Sequence, residues 1–236
     1  MASRLIEYNH NDSVLEGYFA CPDEATAPRP GVIIVHAWGG RDDFVGQRAN
    51  ELAELGYAAL AIDVYGKGIL GSGPDENSQL MQPFLEDRAL LRDRLLAGLE
   101  TLKAQPEVDN SLTAVTGYCF GGLCALDLVR AGADIRGAVS FHGLFSPPGI
   151  EGKASSAKVL ALHGWDDPMV PPTMVVDFAN EMSQLGIDWQ LHGYGGTLHA
   201  FTHPEANDAN LGAFYNPDAN RRSWQAMQNF LEEVLA

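Results

Sequence analysis

The chain predicts an α/β fold: a mostly parallel central sheet of roughly seven or eight strands, helices on both faces, and an antiparallel hairpin at the N-terminus. Short, continuous apolar runs alternate with longer amphipathic stretches along the sequence. Continuous runs are the mark of strands buried on both faces. The amphipathic stretches have helical spacing, and two of them end at a glycine, Gly56 and Gly186. Glycine is the residue that most easily closes a helix with a left-handed turn. A length of 236 residues suits one such domain, spanning 1–236, with a well-buried core.

The elements follow in order. Residues 5–8 and 14–20 read as the hairpin, turning at Asn9-His10-Asn11-Asp12. Cys21 to Pro30 holds three prolines and reads as an exposed connection. Buried strands are expected at 32–35, 58–62, 112–116 and 138–141, with 159–163 and 189–192 extending the series. Helices are expected at 45–55, 83–104, 123–131, 173–185 and 221–235. The longest carries Leu85, Leu91, Leu95, Leu99 and Leu102 at mostly helical spacing. The sequence contains no internal repeat and no low-complexity segment.

Composition excludes several classes of function. The net charge is −16. Nucleic-acid binding needs a basic face to displace phosphate counterions, and docking on anionic lipid needs one too. No apolar stretch approaches the roughly 20 residues that span a bilayer. Residues 1–8 lack the apolar run of a signal peptide, so a cytoplasmic location is expected. The three cysteines, Cys21, Cys119 and Cys124, have no CxxC spacing. They fit neither a disulfide framework nor a zinc site, but suit a reducing compartment. No cofactor and no metal is expected.

In parallel α/β sheets, sites form beyond the C-terminal ends of strands. After 112–116 stands Gly117-Tyr118-Cys119-Phe120-Gly121-Gly122. Strand, sharp turn and helix, with G-x-C-x-G in the turn, make a nucleophile elbow. Small flanking residues let the backbone fold tightly beneath Cys119. The helix N-terminus there favours thiolate, and the Phe120 amide faces a developing oxyanion. The competing reading is a glycine-rich turn with a structural cysteine. Cys124, inside the following helix among apolar neighbours, reads as core.

After 159–163 come Asp166 and Asp167, which compete as the acid; a turn or N-cap role is the alternative for either. After 189–192 comes Gly195-Gly196-Thr197-Leu198-His199, placing a histidine on a flexible loop. Nucleophile, acid and base then follow in the chain order of the α/β-hydrolase fold. After 32–35 comes His36-Ala37-Trp38-Gly39-Gly40, placed to supply a second oxyanion amide, that of Trp38. His36, Tyr65, His142 and His203 also follow strand ends or loop onto them, and are expected as substrate contacts.

These motifs resemble the dienelactone hydrolase (carboxymethylenebutenolidase) family over nearly the whole length. The resemblance rests on G-Y-C-x-G-G at 117–122, on the acid-x-x-V-P pattern from Asp167 to Pro171, and on His199-Ala200-Phe201. It also takes in Gly56-Tyr57-Ala58-Ala59-Leu60-Ala61 and Asp63-Val64-Tyr65. It implies an α/β-hydrolase fold with Cys119 as nucleophile, Asp167 rather than Asp166 as acid, His199 as base, and Trp38 and Phe120 as oxyanion donors. It implies a carboxylic ester hydrolase acting on a small ester or lactone through a thioester, as a monomer or weak homodimer. Two positions depart from the family pattern. Ala37 stands where the family has a glutamate that restrains the thiol, and His203 stands where it has a carboxylate-binding arginine. Other readings are an acyltransferase on the same fold, a non-catalytic binding protein, or a metal-binding module using His199 and His203 at i, i+4.

Overall fold

The computed structural model describes residues 1–23, 27–150 and 152–236. Part of the proline-rich connection, residues 24–26, lies outside them. The hairpin is β1 (Ala2–His10) and β2 (Ser13–Cys21), paired antiparallel through their full lengths. It turns tightly at Asn11, whose φ is 52°. Next come β3 (Arg29–Val35), α1 (Asp43–Glu54) and β4 (Ala58–Ile62). Then follow α2 (Pro74–Glu86), α3 (Arg88–Lys103), β5 (Val108–Tyr118), α4 (Phe120–Arg130) and β6 (Gly137–Phe141). The chain continues through β7 (Lys158–Gly164), α5 (Pro172–Gln184) and β8 (Trp189–Tyr194). The short β9 (Asn207–Asp208) and β10 (Ala213–Phe214) pair with each other, and α6 (Pro217–Val234) ends the series.

Eight strands form one sheet in the order β1-β2-β4-β3-β5-β6-β7-β8. β2 joins β4 antiparallel, and every pair from β4 to β8 is parallel. This is the mostly parallel sheet with an N-terminal hairpin that the sequence predicts. The chain leaves β3 toward one edge and β5 toward the other. The loops after β3 and β5 therefore meet above a switch point, where α/β sheets build their sites.

The period of two along the strands divides the core between the faces. Ile33 and Val35, Leu60 and Ile62, and Val159 and Ala161 pack on one side with Leu91, Leu95, Leu123, Leu126 and Phe178 of α3, α4 and α5. Val32 and Ile34, Ala59 and Ala61, and Leu160 and Leu162 pack on the other with Ala49, Leu52, Met227 and Leu231 of α1 and α6. Gly56 and Gly186 follow α1 and α5 with φ of 100° and 68°, the left-handed turns their positions predict.

One expected helix is two. The stretch expected at 83–104 is interrupted at Asp87, and α2 begins at Pro74, well upstream. Asp87 ends α2, and its side chain accepts the Leu90 N–H at 2.8 Å to start α3. Pro83 lies inside α2 rather than at a helix start. Leucine periodicity runs through the break and hides it; the capping aspartate is the local signal.

Candidate active site

Cys119 stands between β5 and α4 with φ 57° and ψ −115°. A non-glycine residue in such a conformation costs about 1–3 kcal/mol and persists only where its surroundings impose it. Here the imposing groups are backbone. A Cβ at Gly117 would collide with the Gly121 carbonyl, and one at Gly121 with the Val35 carbonyl. The elbow is thus packed against the end of β3, which brings Cys119 beside the 36–40 loop. Cys119 is part-buried and borders a cavity of about 460 Å³.

His199 and Asp167 complete the arrangement. His199 Nδ1–H donates to Asp167 Oδ2 at 2.6 Å, and both side chains are buried. The other Asp167 oxygen accepts the Met169 N–H at 2.8 Å. Asp166 is exposed, so of the two competing acids only Asp167 meets the imidazole. His199 does not sit on a free loop. Its N–H donates to Gly212 O at 2.8 Å, and its carbonyl accepts the Phe214 N–H at 2.9 Å. The 212–214 segment therefore fixes the backbone that carries the ring.

The second nitrogen of His199, Nε2, is buried without an aligned hydrogen bond. The ring is nonetheless strongly coupled to the Cys119 thiol. Burial by itself would push this thiol up. The charge of His199 outweighs that, helped by the Phe120 and Trp38 amides, and the thiol ends below its ordinary value. Burial also disfavours an imidazolium, but the sulfur charge and Asp167 raise the His199 pKa to about 10. The arrangement can hold a thiolate beside an imidazolium, with two backbone N–H groups acting on the sulfur.

The loop bearing Trp38 is held from several sides. His36 is fully buried, and its Nδ1–H donates to Ala37 O at 2.6 Å. Its Nε2 accepts the Val64 N–H at 3.2 Å, which fixes a neutral tautomer. Burial lowers its pKa, in the same direction. Ala37 O also accepts the Gly40 N–H at 3.2 Å, and Trp38 O accepts the Tyr65 hydroxyl at 3.0 Å. In a trans peptide the carbonyl and the following N–H point opposite ways. Anchoring the Ala37 carbonyl therefore aims the Trp38 N–H.

His36 and Tyr65, expected from their positions at strand ends to touch substrate, do not border the cavity. Both are buried behind the loop: the Tyr65 ring packs 4.8 Å from His36 and 6.1 Å from Phe120. Their polar atoms are spent on backbone. His142 and His203 do line the cavity. His142 lies beneath His199, 5.0 Å between ring centroids and edge-on. Its Nδ1 accepts the Cys119 N–H at 3.2 Å, so Nε2–H donates to Thr202 Oγ1 at 2.8 Å. Burial and the neighbouring His199 hold its pKa well below the ordinary value. His203 stacks on Phe44 at 4.9 Å. Among the described residues no cluster of three metal-ligating side chains occurs, and His199 Nδ1 is already committed to Asp167. Cys124 is fully buried in α4, as its apolar neighbours predict.

Sequence reasoning missed Thr202, Phe44, Met81 and Leu211, which also line the cavity. None stands in a motif, and Phe44 and Met81 reach the cavity from helices α1 and α2. It also missed the pinning of His199 by residues 212–214, since two-residue strands leave no periodic signal.

Comparison with known proteins places the chain among relatives. A model of the dienelactone hydrolase family matches residues 15–235. An uncharacterized protein of Caenorhabditis elegans is 38% identical over 152 residues, covering 62% of this chain and 95% of its own length. A probable 2-oxo-3-(5-oxofuran-2-ylidene)propanoate lactonase of Bradyrhizobium is 30% identical over 95% of this chain and 91% of its own. Among solved structures, the dienelactone hydrolase-like promiscuous phosphotriesterase P91, from metagenomic libraries, superposes with a TM-score of 0.94. It is 36% identical, covering 100% of this chain and 99% of its own. Motif, site geometry and a family match over almost the whole sequence converge: the chain belongs to the dienelactone hydrolase family, whose members are hydrolases of the α/β-hydrolase fold.

Proposed function

We propose that the protein hydrolyses carboxylic esters or lactones with a Cys119-His199-Asp167 triad. The observation that carries this reading is the His199–Asp167 hydrogen bond of 2.6 Å beside a strained cysteine whose thiol is held below its ordinary pKa. The Cys119 thiolate attacks the carbonyl carbon, and the carbonyl π pair moves onto oxygen. The Trp38 and Phe120 amides stabilise that oxyanion; losing one such donor typically costs about 10²–10³ in rate. Collapse expels the leaving oxygen, which takes its proton from the His199 imidazolium. A thioester on Cys119 remains. Water attacks it, His199 now acting as base, and the acid and free thiol are released.

The nucleophile sets the leaving-group range. A thiolate, the more so one whose thiol is held below its ordinary pKa, is itself a better leaving group than an alkoxide. Alkyl esters therefore fall back to substrate, while aryl and enol esters go forward. Amides are poorer still. Three cysteines without a disulfide fit a reducing, cytoplasmic setting, which would keep Cys119 in its thiol form.

A second reading has one specific support. P91, the phosphotriesterase of known structure described above, shares 36% of its residues with this chain at full coverage. Attack of the same thiolate on a neutral phosphotriester would use the same two amides.

The test is a hydrolysis screen of aryl esters, enol lactones, alkyl esters and amides with matched acyl groups, with an aryl phosphotriester included. Aryl and enol substrates should turn over at least a hundredfold faster than alkyl esters. One equivalent of iodoacetamide should label Cys119 and remove all activity. Equal rates on alkyl and aryl esters, or full activity after labelling, would refute the thiolate mechanism.

A further inference from the structure

We infer that the site selects esters whose acyl group carries no negative charge, and that it discriminates against carboxylate-bearing substrates. This deepens the hydrolytic reading above and rests on it.

The cavity has room for an aromatic or branched acyl group, about 460 Å³, and Trp38, Phe44, Met81, Leu144, Met169 and Leu211 give it an apolar wall. Among the described residues neither lysine nor arginine lines it, and Asp42 and Glu205 stand at its edge. A substrate carboxylate entering there would shed its water and face two carboxylates, while the His199 imidazolium of the proposed mechanism is already held by Asp167 and the Cys119 sulfur. Burying an unpaired charge is among the costliest steps in recognition.

Two nearby arginines of α1 and the loop before it are paired elsewhere. Arg41 is paired with Glu16 at 3.1 Å. Arg48 lies over the Phe44 ring, 5.1 Å from its centroid, and donates to Glu51 at 2.8 Å, so it does not border the cavity. The N-terminus of α1, otherwise a ready anion site, is already occupied: the Asp42 carboxylate accepts the Val45 N–H at 3.3 Å. His203, which also lines the cavity, is stacked on Phe44. The Cys119 thiolate and the His199 imidazolium of the proposed mechanism offset each other, so the pair gives a substrate carboxylate no net positive charge to meet.

Three rigid esters with one leaving group test this. They are 4-nitrophenyl benzoate, the mono-4-nitrophenyl ester of terephthalate, and 4-nitrophenyl 4-(trimethylammonio)benzoate. Each kcat/KM is divided by that ester's hydroxide-catalysed rate, which removes electronic differences. The terephthalate ester should fall below one tenth of the benzoate, and the cationic ester should not. Removing the edge charges with Glu205→Gln and Asp42→Ser, the latter keeping an oxygen at the helix cap, should raise the anionic-to-neutral ratio severalfold. An anionic ester at more than a tenth of the neutral value overturns the proposal, as does a ratio that both substitutions leave unmoved. Absence of Cys119-dependent turnover of the neutral benzoate would instead strike the hydrolytic reading itself.

Discussion

At the scale of single residues, the site depends on which proton sits where. The Cys119 thiol is held below its ordinary value and the His199 imidazole is raised to about 10. On the proposed mechanism, the thiolate–imidazolium pair dominates between those two values. The sign follows from the charges: kcat/KM rises with pH as the thiol ionises and falls near pH 10 as the imidazolium loses its proton. The two limbs belong to the pair rather than to either residue alone. A kcat/KM that keeps rising past pH 10 on aryl esters would contradict the pairing. Asp167→Asn should move the alkaline limb to lower pH, because it removes one of the groups that hold the His199 proton. His36 acts at one remove, through the Ala37 carbonyl. Replacing it with alanine should lower kcat about 10-fold or more with little change in KM, since the Trp38 N–H would lose its aim without closing the cavity. A variant that loses KM and keeps kcat would instead make His36 part of the binding wall.

At the scale of elements, the elbow was legible because its constraint is steric and local. Each glycine of G-x-C-x-G-G faces backbone, so the pattern records the crowding directly. Gly121→Ala should destabilise the protein by about 3 kcal/mol or more, because a Cβ there meets the Val35 carbonyl and cannot move aside as a side chain would. Urea unfolding measures this; a loss under 1 kcal/mol would mean that β3 and α4 are less tightly joined than described. The order of Cys119, Asp167 and His199 was equally legible, as was each apolar strand. Other features were not. The break at Asp87 is masked by leucines that keep their spacing through it. The choice between Asp166 and Asp167 depends on which side chain turns inward, which adjacent aspartates do not announce. His36 and Tyr65 end strands as substrate contacts do, yet face inward. A strand end marks the right neighbourhood, but not the direction of a side chain.

At the scale of the whole molecule, the order of the strands brings distant segments together. The β3 and β5 loops adjoin because the chain leaves them in opposite directions, and residues of the 195–214 region line the same cavity. Away from the site, a buried ionic network ties three helices on one face of the sheet. Asp127 of α4 accepts both Nε and Nη2 of Arg88 from α3 at 2.7 Å, and Arg130 of α4 pairs with Glu181 of α5 at 2.6 Å. Arg130 also donates to Phe145 O at 3.0 Å, which anchors the loop after β6. Asp127→Ala leaves two buried guanidinium groups short of a partner and should cost about 3–5 kcal/mol in thermal or urea unfolding. A cost below 1 kcal/mol would show that the network is dispensable. The acidic surface, by contrast, says nothing of the substrate, since the cavity sets its own field.

Every step of the proposed hydrolysis runs through Cys119 as the nucleophile. The most direct measurement is the turnover of 4-nitrophenyl benzoate by Cys119→Ala against the unaltered protein, both purified identically and both shown to be folded. The proposed triad predicts a fall in kcat of at least about a thousandfold. A variant that keeps a tenth or more of the original rate would contradict it.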